Sequence, residues 1–323
     1  MRKILLVTKR RFMGDTVAAT PAIRALRQAH PEARLTLMSG RAAIEAMQGC
    51  PWIAELIERQ PKEDHRFLRD QGFDAAVVFD RSVNSAWTVW RARIPIRIGH
   101  RAESRALLLT HPVSQDPSLT EIESLCKLTE VLGATPKNLL PELWLSKEER
   151  QANRLPSGRW VGIQPGANDP DRRLWPPERW APVARFLSKA GWQIAIFGVQ
   201  NEAEYAEKFL SEYKGEVLNL VGKTTLREAM AKIAQCGLWL SSDTGLRHIA
   251  VSLGVPSVSV HNPNTGHRWG YRTEIHRTIY RPSDRKLTHS DAGKALREIQ
   301  PEEIIETLQE LLPQIAVNSA PSQ

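Results

Sequence analysis

Cysteine is scarce: Cys50, Cys126 and Cys236 are the only three in 323 residues, and they stand far apart. They form no CxxC pair and cannot pair evenly, which argues against a secreted disulfide scaffold and a cysteine zinc site. No apolar run approaches the roughly 18 residues of a membrane span. The apolar run Ile4–Val7, behind a charged start, is too short for the core of a secretory signal. No polybasic tail is present. No G-x-G-x-x-G follows the first strand, so a nicotinamide or flavin reading loses its main support. These absences lead us to expect a cytoplasmic chain with no membrane anchor of its own. What is present is a 41% share of hydrophobic residues, enough for packed cores, and a net charge of +8. The length suggests two domains. The charge favours anionic partners without choosing among them, and no nucleic-acid motif accompanies it.

Along the chain, short apolar runs alternate with helical spacing. Lys3–Thr8 reads as a buried strand, Thr16–His30 as a helix, Arg34–Met38 as a second strand and Ala75–Phe79 as a third. The pattern restarts with strands at Trp160–Gln164, Gln193–Phe197, Val217–Val221, Leu238–Ser241 and Ser257–Val260. Between them lie expected helices at Pro177–Ala190, Glu202–Tyr213, Thr225–Gln235 and Gly245–Leu253. A terminal helix is expected at Pro301–Leu312, followed by a frayed tail at Ala316–Gln323. Such alternation implies βαβ units and parallel sheets. The linker is expected within Leu143–Gly158, dividing the chain into domains 1–150 and 151–323. The expected architecture is two doubly wound α/β domains facing across a cleft, with ligands at the strand C-termini.

Two strings imitate known sites. Gly222-Lys223-Thr224 resembles the end of a P-loop, but Val217 stands where the loop needs its first glycine. Asp169-Pro170-Asp171 has the spacing of a cation-binding DxD, yet Asp and Pro are ordinary turn residues, and a turn is the better reading. Other groups carry chemistry. Gly14-Asp15 sits between the first strand and first helix, where Asp15 is either a helix cap or a group at a ligand. Asp243, Thr244, Gly245 and His248 open a helix after a strand, a setting suited to a phosphate. Arg173 follows the first strand of the second half, and Glu202 could accept from ribose hydroxyls. Arg91–His111 is the densest basic stretch and suits an anionic second substrate, met by Arg97 and Arg101.

The strings MGDTVAATPAIRAL, QPGA with RRLWPPERW, LVGKTTLREAMAKIAQC and SDTGLRHIAVSLGVP together carry a resemblance. Over most of its length the chain resembles the ADP-heptose:lipopolysaccharide heptosyltransferases, glycosyltransferase family 9. FDAAVVFDRSVNSAWTVWRARIPIRIGHR and RALLLTH look most like the heptosyltransferase II type. The resemblance implies a GT-B fold and inverting transfer of heptose from ADP-heptose, or a similar nucleotide sugar, to a lipopolysaccharide inner-core acceptor. It implies Asp15 as general base, with no cofactor and no metal. Arg173 stands where the family usually has lysine, keeping charge but changing its geometry. Asp243, Thr244, Gly245 and His248 match the diphosphate motif, and Glu202 a carboxylate near the ribose. HNPNTGHRWGY departs from the family's usual glycine-proline-threonine-aspartate run, with Asn262 where glycine is common. The acceptor implied is an anionic lipid A–core precursor, which places the enzyme in peripheral contact with the inner membrane leaflet. The rival readings are the same fold moving another nucleotide-activated sugar to a different cell-surface glycan, and a nucleotide-sugar-binding module without turnover.

Overall fold

The structure, a computed structural model, describes residues 1–60 and 64–318. It divides into two units, Met1–Trp144 and Leu145–Gln323. The first holds the strands β1 (Lys3–Val7), β2 (Arg34–Ser39), β3 (Glu55–Glu58), β4 (Ala75–Val78), β5 (Ile96–His100) and β6 (His111–Val113). All its pairings are parallel, in the order β3-β2-β1-β4-β5-β6. The second holds β7 (Trp160–Gln164), β8 (Gln193–Ile196), β9 (Val217–Asn219), β10 (Leu238–Ser242), β11 (Ser257–Val260) and β12 (His276–Ile279). Its order is β12-β11-β10-β7-β8-β9, again all parallel. Counted from its own first strand, that is the same topology as the first unit. In both, the chain winds one way from the first strand and then returns to its other side, which is the doubly wound Rossmann order. β1 and β7 are buried by helices on both faces, which explains their unbroken apolar sequences.

The structure moves several expected boundaries. The helix expected over Thr16–His30 is two helices, Met13–Ala18 and Thr20–Ala29. Pro21 cannot donate to the carbonyl four residues back, Val17, which accepts instead from the Thr20 hydroxyl at 2.8 Å. Ala75–Val78 is the fourth strand, because β3 precedes it; β3 is a half-exposed edge strand with glutamate at both ends, so no apolar run marks it. The unit boundary at Trp144 falls before residue 150. Helix Lys147–Ala152 belongs to the second unit, where Glu149 receives the Arg227 guanidinium at 2.6–2.7 Å. The terminal helix runs Pro301–Asn318, so residues 316–318 are helical and not a frayed tail; the remainder of that tail lies outside the described residues. Helices Pro263–Trp269 and His289–Arg297 have no counterpart in the sequence reading.

Each unit has its own core. In the second, Trp175 and Trp180 of RRLWPPERW are fully buried, edge to face at 4.6 Å. The Trp175 indole donates to the Ile299 carbonyl at 2.9 Å, and its backbone N–H to Ser242 at 3.3 Å. That motif therefore pins the loop after β7 to the end of β10. In the first, Gly40 lets the loop after β1 approach: a Cβ there would lie 1.7 Å from the Arg10 carbonyl oxygen. Gly40→Ala must displace backbone and should destabilise the first unit by about 1–3 kcal/mol, as overpacking does. Urea denaturation of variant and parent checks this, with an unchanged midpoint as the contrary result.

Candidate functional site

Open parallel sheets bind ligands beyond the strand C-termini where the winding reverses. In the second unit that point lies between β7 and β10. The last residue of β7, Gln164, accepts from the Thr244 hydroxyl at 2.6 Å, just past β10. Its amide nitrogen donates to both Glu202 oxygens, at 3.2 and 3.1 Å, beyond β8. Glu202 also accepts from the Val199 N–H at 3.2 Å. Space for this buried carboxylate is made by two glycines. A Cβ on Gly166 would fall 2.8 Å from the Glu202 Cβ, and one on Gly198 2.6 Å from Oε2. Burial raises the Glu202 carboxyl, against the lowering effect of the Gln164 hydrogen bonds. Glu202 closes a 3-10 turn, Gln200–Glu202, and the helix starts only at Ala203.

Thr244 is the residue before helix Gly245–Ser252, but with its hydroxyl on Gln164 it does not cap the helix, and neither does Asp243. Asp243 is instead held by Arg247, Nη2 to Oδ1 at 3.2 Å, with Arg173 Nε 3.8 Å from Oδ2. Burial alone would raise the Asp243 carboxyl; His261, Arg173, Arg247 and His248 outweigh it and hold the carboxyl well below its usual range. His248 lies beside Arg247 in the same helix. Burial, reinforced by Arg247, pushes its pKa well below the ordinary value, so the ring is neutral. Its Nε2 lies 3.2 Å from the Arg247 Nη2, which can only donate, so Nδ1 carries the proton and donates to the Tyr271 hydroxyl at 2.7 Å. Both ring nitrogens are thus engaged inside the protein. After β11, Asn262 accepts from the Thr265 N–H and donates to the Arg172 carbonyl, tying HNPNTG to the Arg173 loop. Asp169, at φ +65°, precedes a short helix, Pro170–Arg173, and pairs with Arg172. In the P-loop imitation, Gly222 adopts φ +68° and Thr225 forms a capping box with Glu228. Among the described residues, no group of three His, Cys, Asp or Glu side chains is placed to hold a metal ion.

In the first unit the winding reverses between β1 and β4. Asp15 lies in the first turn of helix Met13–Ala18, which begins at Met13, so Asp15 is not the cap. Its carboxylate is one-fifth exposed and receives the Lys9 ammonium at 2.7 Å. Buried hydroxyls fix this loop: Thr16 to Thr8 at 2.8 Å, Thr8 to Ser39 at 2.7 Å, and Ser39 to the Lys9 carbonyl at 3.2 Å. Arg59, beyond β3, reaches the Thr8 carbonyl and Asp80, beyond β4, each at 3.3 Å. A cavity of about 450 Å³ opens here, lined by Lys9, Arg10, Arg11, Phe12, Arg59 and Trp87 among others. Nothing in the sequence pattern marked Arg59, because a lone arginine on a short edge strand carries no spacing signal.

The basic stretch does not supply this cavity. Arg91–His111 folds into β5, a 3-10 helix at Glu103–Leu108 and the start of β6. Arg97 donates to the Leu108 and Ile94 carbonyls at 2.8 and 2.5 Å, and burial lowers its pKa. Arg105 is wholly buried and donates to the Asp80 and His100 carbonyls. Arg101 is exposed but is not among the residues lining the cavity. Arg97 thus braces β5 and Arg101 stands exposed outside this cavity, whose own cations lie on the β1 loop and after β3.

Two doubly wound units, each with polar groups gathered where its sheet reverses, define a two-domain α/β protein with a ligand-binding end on each sheet. The chain belongs to glycosyltransferase family 9, the heptosyltransferases, whose family model matches residues 65–295. It is 27% identical to lipopolysaccharide heptosyltransferase 2 of Salmonella typhimurium, over 97% of this chain and 99% of that one. The same protein of Escherichia coli K12 is also 27% identical, over 96% and 99%. The solved structure of the E. coli ADP-heptose lipopolysaccharide heptosyltransferase II superposes with a TM-score of 0.81 at 26% identity, covering 97% and 99% of the two chains. The GT-B α/β fold expected from the sequence is thus the fold observed, and the chain is a glycosyltransferase. If the cavity receives an anionic acceptor, replacing Arg10 and Arg11 together by alanine should raise its KM roughly tenfold and flatten its salt dependence. Arg101→Ala should leave both unchanged. Steady-state kinetics at two ionic strengths tests the contrast, and the reverse pattern would return the role to the basic stretch.

Proposed function

We propose that this chain moves heptose from ADP-heptose to the inner core of a lipopolysaccharide acceptor, with inversion and without a metal. The observation that carries this reading is the set Gln164, Glu202, Asp243 and Thr244 at the β7–β10 reversal, in a chain whose relatives include heptosyltransferases 2. The diphosphate is assigned to Arg173 and to the N–H groups of the first turn of helix Gly245–Ser252, which no side chain caps. Glu202 keeps lone pairs beyond those bonded by Gln164, enough to accept from a ribose hydroxyl. Asp15 takes the proton of the attacking acceptor hydroxyl, whose oxygen bonds to the anomeric carbon as the sugar–phosphate bond breaks. A single displacement inverts that carbon, and ADP leaves with the bonding electrons. Charge building on the leaving diphosphate is what the arginine and the helix terminus stabilise. His248 acts behind this layer, on Arg247 and Tyr271.

Asp15→Asn should keep the fold and donor affinity while kcat falls by roughly 10²–10⁴, the span of a lost general base. Turnover should survive EDTA. Quenched-flow assays with ADP-heptose, beside a panel of other nucleotide sugars, test both; normal turnover by the variant makes Asp15 a structural residue. Chelator loss restored by Mg²⁺ overturns the metal-free reading. Another sugar outrunning ADP-heptose moves the donor assignment, for which the Asn262 segment is the place to look.

Membrane contact belongs to the same reading. Among the described residues no helix is long and apolar enough to cross a membrane. Helix Val83–Arg91 buries Ser85, Ala86, Thr88 and Val89, yet turns Val83, Trp87 and Trp90 outward, at 52%, 39% and 44% exposure. Beside it, helix Asp64–Asp70 exposes Phe67, Arg66 and Arg69. Aromatic rings among arginines suit an anionic bilayer surface. Full-length protein should float with phosphatidylglycerol vesicles and not with pure phosphatidylcholine. Phe67→Ser with Trp90→Ser should abolish flotation while sparing turnover of a detergent-free, delipidated acceptor. Equal flotation of variant and parent would remove this face from the proposal.

A further inference from the structure

Burying a guanidinium is unfavourable unless its donors are matched. Arg247 is fully buried, yet among the described residues its Nε and Nη1 find no hydrogen-bond partner. Its Nη2 alone reaches Asp243 Oδ1 and His248 Nε2, each at 3.2 Å, while the guanidinium carbon lies 4.9 Å over the Tyr271 ring. An unbranched apolar side chain would occupy this place with far less desolvation. The contribution of Arg247 must then be sought in the neighbours it orders.

Foremost among them is Asp243, which stands between the end of β10 and the helix that carries Arg247. Arg247 takes one carboxylate oxygen, Oδ1. The other, Oδ2, is buried without a hydrogen bond, 3.8 Å from the half-exposed Arg173. We infer that Arg247 is a positioning residue: it holds Asp243 from behind in one orientation, with Oδ2 toward Arg173, and so fixes the arginine that meets the donor diphosphate. The inference rests on the donor reading of the second unit. It adds a residue that no donor contact would reveal, since Arg247 is shielded by the carboxylate it holds. The groups around Asp243 are Arg173 from the short helix after β7, Arg247 and His248 from its own helix, and His261 after β11. Burial drives His261 down to about 3 and His248 well below its ordinary value, so near neutral pH the two arginines are the cations of this set.

A double-mutant cycle on the full chain tests the inference. Arg247→Met should raise the donor KM about tenfold and leave the acceptor KM within about twofold, a coupling of ordinary size for contacting charges. Arg247→Lys, which keeps charge without the planar fork, should recover most of the loss. In an Asp243→Asn background, Arg247→Met should add less than about twofold, because the group it positions is already altered. Additive losses, with donor and acceptor KM raised alike, would show that Arg247 supports only the fold, and the inference would be wrong. Should Arg247→Met fail to fold, the cycle is run with Arg247→Gln, which keeps a planar donor group without the charge, against Asp243→Asn, and additivity there decides equally. An Asp243→Asn variant with unchanged donor KM would instead defeat the donor reading, which the Arg247 variants do not address.

Discussion

The hydrogen bond from Thr244 to Gln164 spans the two strands between which the second sheet reverses its winding. At such a point the loops leave the sheet toward opposite sides, and a crevice opens over the strand ends. Left alone, that crevice would be a set of solvated loop ends. Gln164 joins them: one end of its amide accepts from Thr244, the other donates to Glu202, and three strand ends move as one body. The glycines of QPGA and of the turn after β8 are there because Glu202 occupies the space their side chains would need. Trp175, buried against β10, adds the loop that carries Arg173. A ligand at this end meets a surface whose polar groups are already oriented, which is the condition for strong electrostatic stabilisation.

The first unit solves the same problem with different chemistry. There the reversal between β1 and β4 is bridged by Arg59, which touches Thr8 on one side and Asp80 on the other. A chain of hydroxyls, Thr16, Thr8 and Ser39, then fixes the loop that brings Lys9 against Asp15. Buried polar networks of this kind are favourable only when their members are satisfied. In both units nearly every member is matched. Among the described residues, four buried side-chain atoms without a hydrogen bond belong to Asp243, Arg247 and His261, where buried charges also gather.

The parallel sheets were legible because a strand buried on both faces is mostly apolar, and Lys3–Val7, Trp160–Gln164 and Ala75–Val78 are close to that. Edge strands β3 and β12 were not, since one flank meets solvent and the sequence loses its run. The proline inside the first helical stretch was visible, but its effect depended on Thr20 offering Val17 a substitute donor. Among the candidate site residues, Asp243, Thr244 and Glu202 do gather with Gln164 and Arg173. Arg97 marks a physical limit of reading charge along the chain. Charge density along the chain says nothing about which guanidinium faces a carbonyl, and that of Arg97 faces two.

By itself the sequence determined the class of fold, the doubling of the pattern, the family resemblance and the positions where chemistry-bearing residues follow strands. These follow from local rules: burial periodicity, turn residues, and motifs short enough to be read along the chain. Only the tertiary structure decided what those residues do to one another. Whether His248 is a cation or a neutral donor depends on burial and on Arg247 beside it. Whether Asp15 caps a helix depends on where that helix starts. Whether a lone Arg59 matters depends on a cavity formed by strands distant in sequence. Protonation, orientation and enclosure are set by neighbours in space, and the spacing of residues along a chain does not specify them.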